Sequence, residues 1–181
     1  MEVDDRTPES VSSASQFLDV EKSLKTRFGE IGLNTADIYA ELEYDFDLRR
    51  LELRGHRQPR FDLIEEIVLG ASVNLVEVPC AEGWQVPAHL PFGDWNACPP
   101  DEFHCAILRR WSERYGAELV GMSHDVIELY VPKPIDDKAA AKLVAQEMTA
   151  YCEDIVTQGC GTVRALAQEI LGAKHWLFWW D

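Results

Sequence analysis

The chain has 181 residues, 46% of them hydrophobic, with 32 acidic against 17 basic side chains and a net charge of -15. That length suits one compact domain, or one domain with an N-terminal extension, and it supports a sizeable core. A surface this negative repels phosphate backbones and anionic headgroups, so nucleic acid and membrane are disfavoured as direct partners, whereas a basic protein would be steered towards it.

Residues 1–13 are polar and Ser-rich and read as a flexible tail. Phe17, Val20, Leu24, Phe28 and Ile31 then recur at helical spacing, which predicts a helix from Ser15 to Ile31 ended by Gly32. The period changes to two over Ile38–Phe46, and Leu51 and Leu53 continue the alternation after a tight connection, so a β-hairpin is expected. Phe61–Leu69 fits either a short helix or a strand. Val73–Val78 reads as a strand, and Trp84–Leu90 as an extended, Pro-interrupted run at a sheet edge.

A Gly-, Asn- and Pro-rich loop spans Pro91–Pro100. Asp101 is expected to cap a helix whose apolar face is Phe103, Ile107, Leu108, Trp111 and Tyr115, with Gly116 as its stop. Ala117–Met122 and Val126–Val131 form a hairpin around Ser123-His124-Asp125. Asp136 or Asp137 opens a helix to about Cys152, Thr162 caps another ending at Gly172, and His175–Asp181 is an aromatic strand. Hairpins outnumber βαβ units, which argues an α+β fold: a mainly antiparallel sheet with helices packed on one face. The expected organisation is a tail at 1–13, a helix plus hairpin over 14–72, and a C-terminal α+β domain over 73–181.

The C-terminal part carries several ordered motifs. These are Trp84-Gln85-Val86-Pro87-Ala88, Pro91-Phe92-Gly93-Asp94-Trp95-Asn96-Ala97-Cys98-Pro99-Pro100 and His104, followed by Leu108-Arg109-Arg110-Trp111. Glu113–Val120, Ala150-Tyr151-Cys152, Asp154-Ile155-Val156, Gln158-Gly159, Gly161-Thr162 and Trp176 with Phe178-Trp179-Trp180-Asp181 complete the set. Together they resemble a bacterial family known as domain of unknown function 4253, over roughly Val73 to Asp181. Cys105, in place of an aliphatic residue, and Glu153, in place of proline, depart from its pattern. The resemblance implies the fold boundaries and a bacterial origin. The family has no established activity to carry over.

Five scattered cysteines (Cys80, Cys98, Cys105, Cys152, Cys160), with no CxxC pair, make neither a disulfide framework nor a zinc ribbon. They read mostly as small apolar residues of a reducing compartment. The acidic start Met1-Glu2-Val3-Asp4-Asp5 lacks the charge and apolar stretch of a secretory leader, and no apolar run nears the roughly 20 residues of a membrane helix. A cytoplasmic location is therefore expected.

The strongest local constellation surrounds the start of the helix at Asp101. There Cys98 and His104 could act as nucleophile and base, or as metal ligands joined by Cys152 or His89, with Trp95 and Asn96 shaping a pocket. The plainer reading is a capped helix with a buried thiol and a locally bonded imidazole. No spacing matches a zinc, nucleotide or protease signature, so neither a metal nor a cofactor is expected. Ser123-His124-Asp125 reads as a turn, since three adjacent residues cannot generally face one another as a triad.

Glu41, Glu43, Asp45 and Asp47 project one sign of charge from one strand face. They suit docking of a basic protein, unless Arg49, Arg50, Arg54, Arg57 and Arg60 neutralise them within the molecule. Trp179 is a candidate interface anchor, for a partner or for a homodimer. The balance favours a binding protein over an enzyme: an immunity- or inhibitor-type protein that neutralises a basic, toxin-like partner. The alternative is an enzyme centred on Cys98, His104 and Cys152.

Overall fold

The computed structural model describes residues 7–30 and 74–181. The expected hairpin, with Glu41, Glu43, Asp45 and Asp47, and the Phe61–Leu69 segment lie outside the described residues.

Helix α1 spans Pro8–Phe17. The Thr7 hydroxyl accepts from the Ser10 N–H at 3.2 Å, and the Ser10 hydroxyl accepts from the Thr7 N–H at 3.0 Å, with Pro8 in the first turn. This reciprocal cap is why the expected tail gives way to helix at Pro8 rather than after Ser13. Nor does one helix run from Ser15 to Ile31. Leu18 is extended, and the Asp19 carboxylate accepts from the Lys22 N–H at 3.0 Å, so a second helix, α2 (Val20–Glu30), starts afresh.

Residues 74–80 form no strand, contrary to the reading of Val73–Val78: Leu75 is fully exposed and Val76 is 56% exposed. Apolar alternation makes a strand only where a sheet receives it. Trp84–Leu90 is likewise not extended. A 3-10 turn (Gly83–Gln85) leads into the short helix α3 (Val86–His89). The Gln85 side chain accepts from the Glu82 N–H at 3.1 Å, and Pro87 occupies a first-turn position where a missing N–H costs nothing.

Helix α4 (Asp101–Tyr115) begins one residue earlier than expected, with Pro100 at the cap position and Asp101 as its first helical residue. Gly116 ends it at φ 68°, a left-handed conformation that glycine adopts without strain. Strands β1 (Glu118–Met122) and β2 (Val126–Tyr130) pair antiparallel about the Ser123–Asp125 turn, with a bulge between Leu119 and Gly121. Asp137 accepts from the Ala140 N–H at 2.7 Å to start α5 (Lys138–Tyr151). A π-helical turn (Ile155–Cys160) leads to α6 (Val163–Ile170), which Thr162 caps at 3.0 Å. Strand β3 (His175–Trp179) pairs antiparallel with β2, completing an α+β fold with sheet order β1-β2-β3.

One face of β3 presents Trp176 and Phe178 to the core, and the chain continues in phase to buried Trp180. Trp111 of α4 stacks on Phe178 at 5.2 Å, and Tyr151 of α5 meets Phe178 edge-on at 5.1 Å. Above them Glu147 binds α4 to α5. It accepts from Arg110 at 2.7 and 3.1 Å, from Arg114 at 3.2 Å and from the Trp111 indole at 3.1 Å. The N-terminal helices join this core: Leu24 of α2 is buried in it, and Val11 of α1 packs with Ala88 and Cys105. No described helix is long and apolar enough to cross a membrane.

Candidate functional site

The loop before α4 turns sharply enough to require left-handed backbone at Gly93 (φ 101°), Asp94 (φ 63°) and Asn96 (φ 46°). Such conformations are sterically costly for residues other than glycine and persist only where the surroundings enforce them. Here the Asp94 N–H donates to the Pro99 carbonyl at 3.1 Å, and the Cys98 N–H donates to the Trp95 carbonyl at 2.9 Å. The result folds Cys98 back beneath the first turn of α4, where His104 points inward.

Cys98 Sγ and His104 Nε2 are 3.5 Å apart, and His104 Nδ1 is 2.6 Å from the Tyr151 hydroxyl. Phe92 and Trp180 meet the imidazole edge-on at 4.8 and 5.4 Å, so the ring sits in an aromatic box with no measurable exposure. Gly93 is what lets the ring approach. A Cβ there would lie 1.9 Å from the Pro99 carbonyl oxygen and 2.7 Å from His104 Nε2. The network fits a neutral imidazole with the Tyr151 hydroxyl at Nδ1, the Cys98 thiol at Nε2 and the Pro99 carbonyl as a further partner of the ring.

The electrostatics follow from burial. Desolvation pushes His104 down to about 3, with the Pro99 carbonyl opposing that shift and Arg27 adding to it. Desolvation also pushes the Cys98 thiol up to about 12, against a smaller lowering by Arg27. A helix N-terminus ordinarily acidifies a nearby thiol, but here burial wins. A thiol with that pKa holds only about one part in 10⁵ as thiolate at neutral pH. The pair is therefore a neutral thiol beside a neutral imidazole, poorly suited to attack or to proton abstraction.

Cys152 does not complete this group. Its thiol donates to the Trp179 carbonyl at 2.8 Å, and desolvation pushes it up to about 12. Among the described residues no three His, Cys, Asp or Glu side chains are placed to hold a metal ion. The residues that do complete the cluster are Tyr151 and Arg27. Tyr151 comes from 47 residues beyond His104, and only its place in Ala150-Tyr151-Cys152 singled it out in the sequence. Arg27 carried no signal there.

Trp95 is half-buried and lines an open cavity of about 620 Å³ with Leu90, Phe92, Met122, Ser123 and His124. Asn96 serves elsewhere. Its amide donates to the Asp181 carbonyl at 3.3 Å, while the Asp154 carboxylate accepts from the Asp181 N–H at 3.0 Å, so the loop and the chain end are held together. In the β1–β2 turn the Ser123 hydroxyl and the His124 ring both contact the same oxygen of Asp125, at 2.8 and 3.0 Å. This is local turn bonding with no nucleophile–base alignment. Trp179 is half-buried at a second cavity, of about 390 Å³, that also takes in Gly159, Cys160 and Glu169; a Cβ on Gly159 would come within 2.9 Å of its ring.

Comparison with known proteins gives one family match: the model of the domain of unknown function DUF4253 matches residues 74–181. No curated protein and no solved structure matches.

Proposed function

The chain belongs to the family of domains of unknown function DUF4253, and from that premise we propose that it is an acidic protein-binding module. In this reading it is a bacterial, cytoplasmic immunity- or inhibitor-type protein that neutralises a basic, toxin-like partner. The observation that carries the reading is the net charge of -15, which nothing in a sealed thiol–imidazole cluster explains as catalytic machinery. An excess of carboxylates accelerates encounter with a basic protein and mimics the phosphate that a nuclease-like active site would hold.

The docking elements are the stripe Glu41, Glu43, Asp45 and Asp47, with Trp179 as an aromatic anchor. The test replaces all four carboxylates by lysine and compares capture of basic proteins from the source cytoplasm with that of the parent chain. Loss of a stoichiometric basic partner is the expected result; unchanged capture sinks the assignment of the stripe.

A second reading, an enzyme using Cys98, His104 and Cys152, draws on the 3.5 Å contact between Cys98 and His104. Burial of both side chains weighs against it. Light scattering tests a homodimer through Trp179, since monomer at all concentrations removes it.

A further inference from the structure

The two outer strands of the sheet differ. Strand β1 carries a bulge between Leu119 and Gly121 and a charge at Glu118, both of which discourage pairing with another chain. Strand β3, on the far side of β2, keeps an unbroken register and contains no proline, lysine or carboxylate. The bonds at its two ends fix the direction of its backbone groups. The Val131 N–H donates to the Lys174 carbonyl at 2.7 Å, and the Trp180 N–H donates to the Asp125 carbonyl at 3.1 Å. Hydrogen-bonded positions recur at every second residue, so Trp176 and Phe178 bond to β2, while the N–H and carbonyl groups of Leu177 and Trp179 point away from it. In keeping with this, the Trp179 carbonyl accepts from the Cys152 thiol at 2.8 Å. No described strand pairs with that edge.

All of β3 lines the cavity of about 390 Å³. Its other walls include Ile155, Gly159 and Cys160 of the π-helical turn and Leu166, Glu169 and Ile170 on one face of α6. The cavity thus joins an open strand edge to apolar walls, with Leu177 and Trp179 half-buried. Glu169 is the lining side chain that is charged at neutral pH, since burial, with a smaller push from Lys174, lowers the His175 pKa.

The geometry points to the open edge of β3 as a docking site for an extended, basic segment of the partner protein, which adds a further strand to the sheet. An extended chain offers N–H and carbonyl groups at the spacing of Leu177 and Trp179. Its side chains on the helix-covered face continue the row of Trp176 and Phe178 and are apolar. The basic character rests on the acidic-module reading above and suits Glu169 and the net charge of -15, whereas a second copy of the chain, equally negative, is repelled.

The experiment follows backbone amide exchange in the full chain by NMR, with a blocked hexapeptide of alternating lysine and valine as the probe. In the free protein the Leu177 and Trp179 amides should exchange faster than those of Trp176 and Phe178. With the peptide at about ten times its dissociation constant, both should slow by about tenfold. The fully N-methylated peptide, which cannot donate to the ladder, should leave them fast. Leu177→Pro removes an N–H that faces away from β2, a position where an edge strand tolerates proline, and should weaken peptide binding about five- to tenfold. Near-ultraviolet circular dichroism checks that this variant is folded; if it is not, the N-methylated peptide on the parent protein decides.

Three results overturn the proposal. The peptide leaves the Leu177 and Trp179 amides fast; or both are as slow as Phe178 in the free protein at every concentration, the edge being covered by this chain itself; or they slow with protein concentration alone, which assigns the edge to a second copy. The acidic-module reading fails separately. A lysine peptide that binds without protecting these amides removes the edge site and leaves that reading standing, whereas equal protection by a glutamate–valine peptide removes the basic partner.

Discussion

Replacing His104 by glutamine probes the energetics of the buried cluster through pH. The imidazole is held neutral, its pKa pushed down to about 3 chiefly by desolvation, whereas in the unfolded chain it titrates near the ordinary value of 6.5. As pH falls below 6.5 the unfolded chain takes up a proton that the folded protein refuses until about pH 3. The neutral imidazole's contribution to stability is therefore complete above the unfolded pKa and lost progressively below it.

The slope is about 1.4 kcal/mol per pH unit, so the loss between pH 6.5 and pH 5 is about 2 kcal/mol. Glutamine retains an amide that donates and accepts but does not titrate. At pH 7.5 His104→Gln should be less stable by about 1–3 kcal/mol through poorer bonding to Tyr151 and Pro99. That gap should shrink, or reverse, by about 2 kcal/mol at pH 5. Urea denaturation of both proteins across this range measures it, and taking the difference cancels the carboxylates that titrate in both. A gap that stays constant from pH 7.5 to pH 5 would refute the argument that burial holds this ring neutral.

Gly93→Ala should cost about 3–5 kcal/mol or prevent folding, because its Cβ would sit 1.9 Å from the Pro99 carbonyl oxygen on a backbone already at φ 101°. A thermal midpoint within a degree or two of the parent's would contradict the geometry. Glu147→Gln should cost about 2 kcal/mol, since the carboxylate accepts from Arg110, Arg114 and the Trp111 indole and is only 14% exposed. The loss should persist in high salt, which screens exposed pairs far more than buried ones, and disappearance of the effect in 1 M salt would identify a merely superficial bridge.

The elements legible in the sequence are those whose boundaries are chemical. Asp137 and Thr162 start their helices, Gly116 ends one, and the aromatic run His175–Asp181 marked β3, whose Trp176 and Phe178 the structure buries. Where the sequence misleads, a residue has two uses. Pro87 reads as a strand-edge residue and acts as a first-turn helix residue; Pro8 reads as disorder and serves a capped helix start. Leu75 and Val76 have the apolar pattern of a strand but remain exposed.

The candidate site divides in the same way. Cys98 and His104 are six residues apart around one helix start, so their meeting was legible. Tyr151 and Arg27 arrive through packing of α5 and α2, which no local pattern encodes. Cys152 was grouped with them by residue type, yet its thiol is committed to a backbone carbonyl of β3.

The central claim, that an acidic surface binds a basic partner, is tested most directly by purifying the protein from a lysate of its source cells at low and then moderate salt and identifying what remains bound. The account predicts one basic protein at a fixed stoichiometry, with affinity that falls as salt rises. Recovery of no basic protein at low salt, or of a partner indifferent to salt, would contradict it.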